Sequence, residues 1–95
     1  MACQLAWDPE KERINKQKHG LDFSFADPVF SDPLAVTIYD RFENGEHRWH
    51  TIGAVGAGHT VLLVVHTLPD TDVPIRIIGL RRATAQERRR YEQNP

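Results

Sequence analysis

The residues best suited to chemistry in this chain are cations, and they gather toward its two ends. Ile75 to Tyr91 reads IRIIGLRRATAQERRRY, an apolar strand that runs into Arg81-Arg82 and then, past a threonine, into a basic helix. Two guanidinium groups at a strand end beside a cationic helix suit a surface that handles phosphate. Near the other end Lys11, Asn15 and Lys18 fall at i, i+4 and i+7 on one helix face, with His19 adjoining. Two amines, an amide and an imidazole can bind phosphate, and a solvated helix face has the same composition. Arg48 is one of only two cations between residues 21 and 75. It is either a site group or a charge partner for a nearby carboxylate.

Metal-free cleavage of RNA needs a base for the 2′-hydroxyl, cations for the pentavalent phosphate and an acid for the departing 5′-oxygen. Strict strand alternation puts Arg76 and Arg82 on one face and Arg81 on the other, with Ile75 and Ile77. Either Arg81 or Arg82 can turn toward a site from the strand end, and period alone does not separate them. On the last helix Tyr91 lies i+3 from Arg88 and i+4 from Glu87. It can stack on a base, share a proton or pack the helix on the sheet. Other chemistries find less support. His47 and His50 are three apart in what reads as a strand, where such residues point to opposite faces, and His59 sits in a turn. With no thiolate cluster and no repeated carboxylate spacing, neither a metal nor another cofactor is expected. No serine lies in a nucleophile-elbow context, and Cys3 is close to the terminus.

The elements that must position these groups follow from caps and periodicity. Cys3 to Trp7 is a short opening strand. Asp8-Pro9-Glu10 supplies an N-cap, a first-turn proline and an acidic first turn, and the helix it starts should end at Gly20. Asp22 caps a second helical segment in which Phe23, Ala26 and Phe30 share a face. Pro28 kinks that segment, or Asp27 restarts it. Leu34 to Asp40 and Arg48 to Val55 read as strands around the hairpin dipeptide Asn44-Gly45. Gly56-Ala57-Gly58 makes the next turn, and Thr60 to Thr67, apolar on both faces, is the central strand. A loop over Leu68 to Pro74 precedes the last strand, Ile75 to Arg82. Thr84 with Glu87 forms a capping-box pattern for the closing helix. The expected architecture is α+β: an antiparallel sheet of four to five strands, two N-terminal helical segments and one C-terminal helix, in a single domain spanning residues 1–95.

Composition is that of an ordinary globular chain, 40% apolar and 26% charged over 95 residues. The net charge of −1 conceals a segregation: residues 1–20 carry four basic and three acidic side chains, 21–75 two and eight, and 76–95 six and two. If the basic ends meet in space, a local positive face can bind a polyanion despite the neutral total. A single cysteine excludes an intrachain disulfide, and no apolar run approaches the length of a membrane span, so a cytoplasmic protein is expected.

Taken as an ordered set, these residues resemble the BrnT family of type II toxin–antitoxin toxins. The correspondence runs through Trp7-Asp8, Asn15, Lys18-His19-Gly20, Phe23, Ala26, Asp32-Pro33, Arg48, Ile52-Gly53, the Val61 to His66 strand, Arg76-Ile77-Ile78, Arg81, Ala83-Thr84, Glu87-Arg88 and Tyr91. The resemblance implies a RelE-like fold and a metal-independent endoribonuclease that arrests growth. It also implies a cognate BrnA-type ribbon-helix-helix antitoxin, held in a hetero-oligomeric complex that reaches operator DNA only through the antitoxin. A non-enzymatic co-repressor or decayed toxin is the alternative. By the same resemblance the catalytic groups are Lys18, His19, Arg48, Arg81 and Tyr91; from the spacing read above, Lys11, Asn15, Arg82 and Arg88 are expected as further RNA contacts. Which of them act as base and acid stays open; by residue type His19 is the candidate for proton transfer and Arg81, which keeps its proton, is expected as the phosphate clamp. Gly79-Leu80, where the family commonly has a small polar residue and alanine, and Pro28 depart from the pattern.

Overall fold

The computed structural model describes residues 4–56, 60–69 and 73–93. Cys3 of the expected first strand, Ala57 and Gly58 of the expected turn, His59, and Asp70 and Asp72 of the expected loop lie outside the described residues. The chain runs β1 (Leu5–Trp7), α1 (Pro9–His19), a 3-10 turn (Phe23–Phe25), α2 (Ala26–Ser31), β2 (Val36–Glu43), β3 (Glu46–Val55), β4 (Thr60–His66), β5 (Ile75–Arg82) and α3 (Ala85–Glu92). The strands form one sheet in the order β1-β5-β4-β3-β2. No helix among the described residues is long and apolar enough to cross a membrane.

The all-antiparallel sheet expected from the sequence is corrected to a mixed one. β2 to β5 pair antiparallel, but β1 lies parallel to β5 with Leu5 opposite Ile75 and Trp7 opposite Ile77. The parallel direction has a structural use. β1 covers only the first part of the β5 edge, and because it points the same way, α1 continues along the edge it leaves open. There the Asn15 amide takes the place of a strand: Oδ1 accepts from Leu80 N at 3.0 Å, and Nδ2 donates to Leu80 O at 2.7 Å and to Leu21 O at 3.0 Å.

Local chemistry accounts for the ends of α1. Asp8 accepts from Glu10 N, Pro9 occupies the first turn, and Gly20 closes the helix in the left-handed region at φ 73°. In the second helical segment Asp22 caps the 3-10 turn by accepting from Ser24 N. Pro28 falls in the first turn of α2, where a missing N–H costs no helical bond, and α2 starts at Ala26 with Phe25 as its N-cap, so Asp27 is not the residue that restarts the segment. At the hairpin, Asn44 and Gly45 both have positive φ, 53° and 79°, and the strands reach right up to this two-residue turn.

Each face of the sheet carries an apolar cluster. On the first, Leu62, Val64, Ile75, Ile77 and Leu80 lie under Phe23, Ala26 and Val29, with Trp7 edge-on to Phe23. On the second, Ile52, Val61 and Leu63 lie under Ala83 and Tyr91. Burial on both sides confirms β4 as the strand at the centre of the core. α2 crosses β3 so closely that a Cβ on Gly53 would stand 2.8 Å from the Val29 carbonyl oxygen, which reserves this position for glycine.

Candidate active site

The second face of the sheet is where the charged side chains converge, and two one-residue irregularities arrange it. Between β4 and β5 the register shifts: Val65 pairs with Gly79, but His66 pairs with Ile77, leaving Ile78 as an extra residue. The shift puts Leu80 back in the cluster with Ile75 and Ile77 and sets Arg81 opposite Leu63. Arg81 therefore projects from the face opposite Ile75 and Ile77, reversing the placement that strict alternation gives. A second shift, in β2 between Tyr39 and Arg41, leaves Asp40 unpaired. Its Oδ2 lies 3.3 Å from His50 Nε2 and 3.6 Å from Arg41 Nε.

Arg48, His50 and Ile52 alternate along β3 and share this second face. Arg48 is only 8% exposed. One guanidinium nitrogen reaches Glu43 Oε2 at 3.3 Å, while its buried Nε has no hydrogen-bond partner. The same Glu43 oxygen is held more tightly by Arg41 Nε, at 2.6 Å. Arg48 is thus a largely desolvated cation with a weak, shared counter-charge. Such a group gains strongly from an added anion, because burial has already removed its water.

α3 borders the face without burying a residue in it. Thr84 Oγ1 accepts from Glu87 N and the Glu87 carboxylate accepts from Thr84 N, completing the expected capping box. Glu87 also grips Arg81 with both oxygens, at 2.7 and 3.0 Å. The hydrogen bond from Arg81, helped by the Thr84 N–H and opposed by partial burial, holds the Glu87 carboxyl at a pKa of about 2. Hydrogen bonding to Glu87 pushes the Arg81 pKa further up, and the Asp40 charge adds to it. The far end of α3 is fastened by Tyr91, whose hydroxyl donates to Asp32 Oδ2 at 2.5 Å. That hydrogen bond raises the Tyr91 pKa and keeps its proton in place. At Asp32 burial opposes ionisation, but donors from Ala54 N, Tyr91 and Leu34 N outweigh it and hold the carboxyl below its ordinary value.

The fold brings Arg48 and Arg81 to one face, with Tyr91 at its border, and distributes the other sequence-selected residues elsewhere. Asn15 is buried, with its amide committed to the Leu21 and Leu80 backbone, so it lies on the packing face of α1 and not on the solvent face expected of an RNA contact. Lys11, Lys18 and His19 are exposed on α1, Lys18 and His19 in the last turn of the helix, after the Asn15–Leu80 contact. Arg82, opposite Leu62, belongs to the first face, and Arg88 is exposed with its Nε 3.4 Å from Glu92. Asp40 and His50 were not selected from the sequence. The signal for His50 was its two-residue spacing from Arg48; nothing in the sequence announces the irregularity that turns Asp40 toward it.

The remaining described histidines are engaged in other ways. His66 is buried, donating from Nδ1 to Thr67 O and accepting at Nε2 from Thr51, whose hydroxyl also meets Thr37. Burial pushes its pKa down, against the pull of the Thr67 carbonyl, so it stays neutral beneath Phe30. His47 contacts the Tyr39 hydroxyl at 3.0 Å. Among the described residues no group of three or more His, Cys, Asp or Glu side chains is placed to hold a metal ion.

No curated protein matches the chain. The family model described as the ribonuclease toxin BrnT of type II toxin–antitoxin systems matches residues 7–87, a span that contains both Arg48 and Arg81, and the chain belongs to that family.

Proposed function

We propose that this chain is a metal-independent endoribonuclease that arrests growth when free. We further propose that a BrnA-type ribbon-helix-helix antitoxin silences it in a hetero-oligomeric complex. Family membership supports the ribonuclease and the antitoxin partner in general form. The observation that carries the site is Arg48, a buried guanidinium with an unmatched Nε and one long contact to a shared carboxylate. In this reading Arg48 and Arg81 hold the scissile phosphodiester and stabilise the charge that builds on it. Lys18, His19 and Arg82 meet the flanking backbone from the end of α1 and the end of β5. Tyr91 positions α3, and through it Glu87 and Arg81. The groups named need no metal to act, and the antiparallel β2 to β5 sheet with helices on its faces suits the RelE-like frame expected from the resemblance.

The test is cleavage of a short RNA by the purified chain with a chelator present, alongside expression of the chain alone in cells. RNA should be cut and growth should stop, and Arg48→Ala or Arg81→Ala should relieve both. One feature favours a second reading, in which the chain only docks an antitoxin: Arg41, Arg48, Arg76 and Arg81 each already have a carboxylate partner. On that reading the chain binds its antitoxin tightly and leaves RNA intact with or without added metal.

A further inference from the structure

We propose that His50, positioned by Asp40, is the group that takes the proton from the 2′-hydroxyl; this rests on the ribonuclease reading above. Across the sheet Ile38, His50, Val65 and Gly79 stand side by side in one row of the second face. The row closes on a glycine, so nothing taller than a backbone walls it off on the β5 side. Arg48 stands one row away along β3. The row on the other side, Val36, Ile52, Leu63 and Arg81, carries the second guanidinium. Rows two residues apart are separated by roughly 7 Å, so the imidazole lies between two arginine rows that stand roughly 14 Å apart along the strands.

His50 and Asp40 remain accessible, with 24% and 23% of their side-chain surfaces exposed. Their pairing also favours one nitrogen as the free one. With Nε2 3.3 Å from the Asp40 carboxylate, the ring proton is drawn to Nε2, and Nδ1 keeps the lone pair. The charged and titratable groups of this face are Asp40, Arg41 and Glu43 from β2, Glu46 and Arg48 from its own strand, Arg76 and Arg81 from β5, and Glu87 and Tyr91 from α3, while His66 of β4 lies on the other face against Phe30. In the step assigned to it, the 2′-hydroxyl gives its proton to Nδ1 and the 2′-oxygen forms a bond to phosphorus. The bond from phosphorus to the 5′-oxygen breaks with its electron pair, and that oxygen takes a proton from water. The products are a 2′,3′-cyclic phosphate and a 5′-hydroxyl, and the imidazolium, held beside Asp40, returns its proton to the hydroxide left in solvent.

The experiment is single-turnover cleavage of an RNA oligonucleotide by the full chain between about pH 5 and 8, the range in which imidazole chemistry changes. For the intact chain the rate should climb with pH and level off. His50→Gln should lower the plateau by about 10²- to 10⁴-fold, the usual contribution of a general base, and flatten the profile while RNA binding is retained. Asp40→Asn should cut the rate less than His50→Gln, because the ring keeps its lone pair and loses only the partner that orients it. His47→Gln, on the opposite face, should match the intact chain. Added imidazole should restore part of the activity of His50→Gly, provided its far-UV spectrum matches the intact chain. A His50→Gln protein that keeps the rate and profile of the intact chain, while Arg48→Ala is inactive, would overturn the assignment and leave the ribonuclease reading standing. An intact chain that cuts no RNA would sink both.

Discussion

Replacing Asn15 separates two meanings of the same residue. In Asn15→Ala the Leu80 N–H and C=O, both directed at the open edge of β5, lose their partners, and Leu21 O loses a third bond. A buried backbone group left without a partner costs about 1–3 kcal/mol. Two such groups give on the order of 2–6 kcal/mol, toward the lower end where the site relaxes, a large share of the roughly 5–15 kcal/mol that holds a typical domain together. The helix propensity gained by alanine returns less than about 1 kcal/mol. Urea unfolding should show a much lower midpoint with an unchanged slope. Asn15→Asp is the sharper variant, since the carboxylate still accepts from Leu80 N but faces the Leu80 and Leu21 carbonyls without a donor. It should be no more stable than the alanine variant at neutral pH. If instead Asn15→Ala unfolds like the intact chain but no longer binds RNA, the edge-latch account is wrong and the solvent-face reading of α1 is right.

Two other perturbations probe the frame. Glu87 has a folded pKa of about 2 against an ordinary 4.5, so its contribution is complete above the ordinary value and disappears as pH falls from about 4.5 to about 2. Glu87→Gln should melt below the intact chain at neutral pH, by about 1 kcal/mol after solvent screening, and the two proteins should converge on acidification; parallel curves would mean the Arg81 pair adds nothing. Gly53→Ala pushes a methyl against the Val29 carbonyl and should cost about 1–3 kcal/mol in thermal unfolding, whereas an unchanged melting temperature would show that α2 can lift away freely.

What could be read in advance were features whose cause is local. Asp8-Pro9-Glu10, Asn44-Gly45 and Thr84 with Glu87 act within a turn of themselves, and each forms the expected structure. The apolar run Val61 to Val64 marks a strand covered on both sides without reference to any partner. The failures share the opposite property. One extra residue at Ile78 inverts the facing of everything after it, so Arg81 could not be assigned by counting. The parallel seating of β1 and the role of Asn15 depend on residues more than sixty positions away. His50 was visible as a histidine but not as a neighbour of Asp40, because that contact needs the irregularity after Tyr39.

The Asn15 to Leu80 contact spans 65 residues of chain. At a synthesis rate of about 5–20 residues per second, α1 therefore waits on the order of 3–13 s for the backbone groups that its amide must satisfy. β1 waits comparably long for β5, and the second face lacks Arg81 and Glu87 until the same late moment. The sheet can grow outward through β2, β3 and β4 as they emerge, but its far edge, the seat of α1 and the charged face close together, only once β5 and α3 have followed.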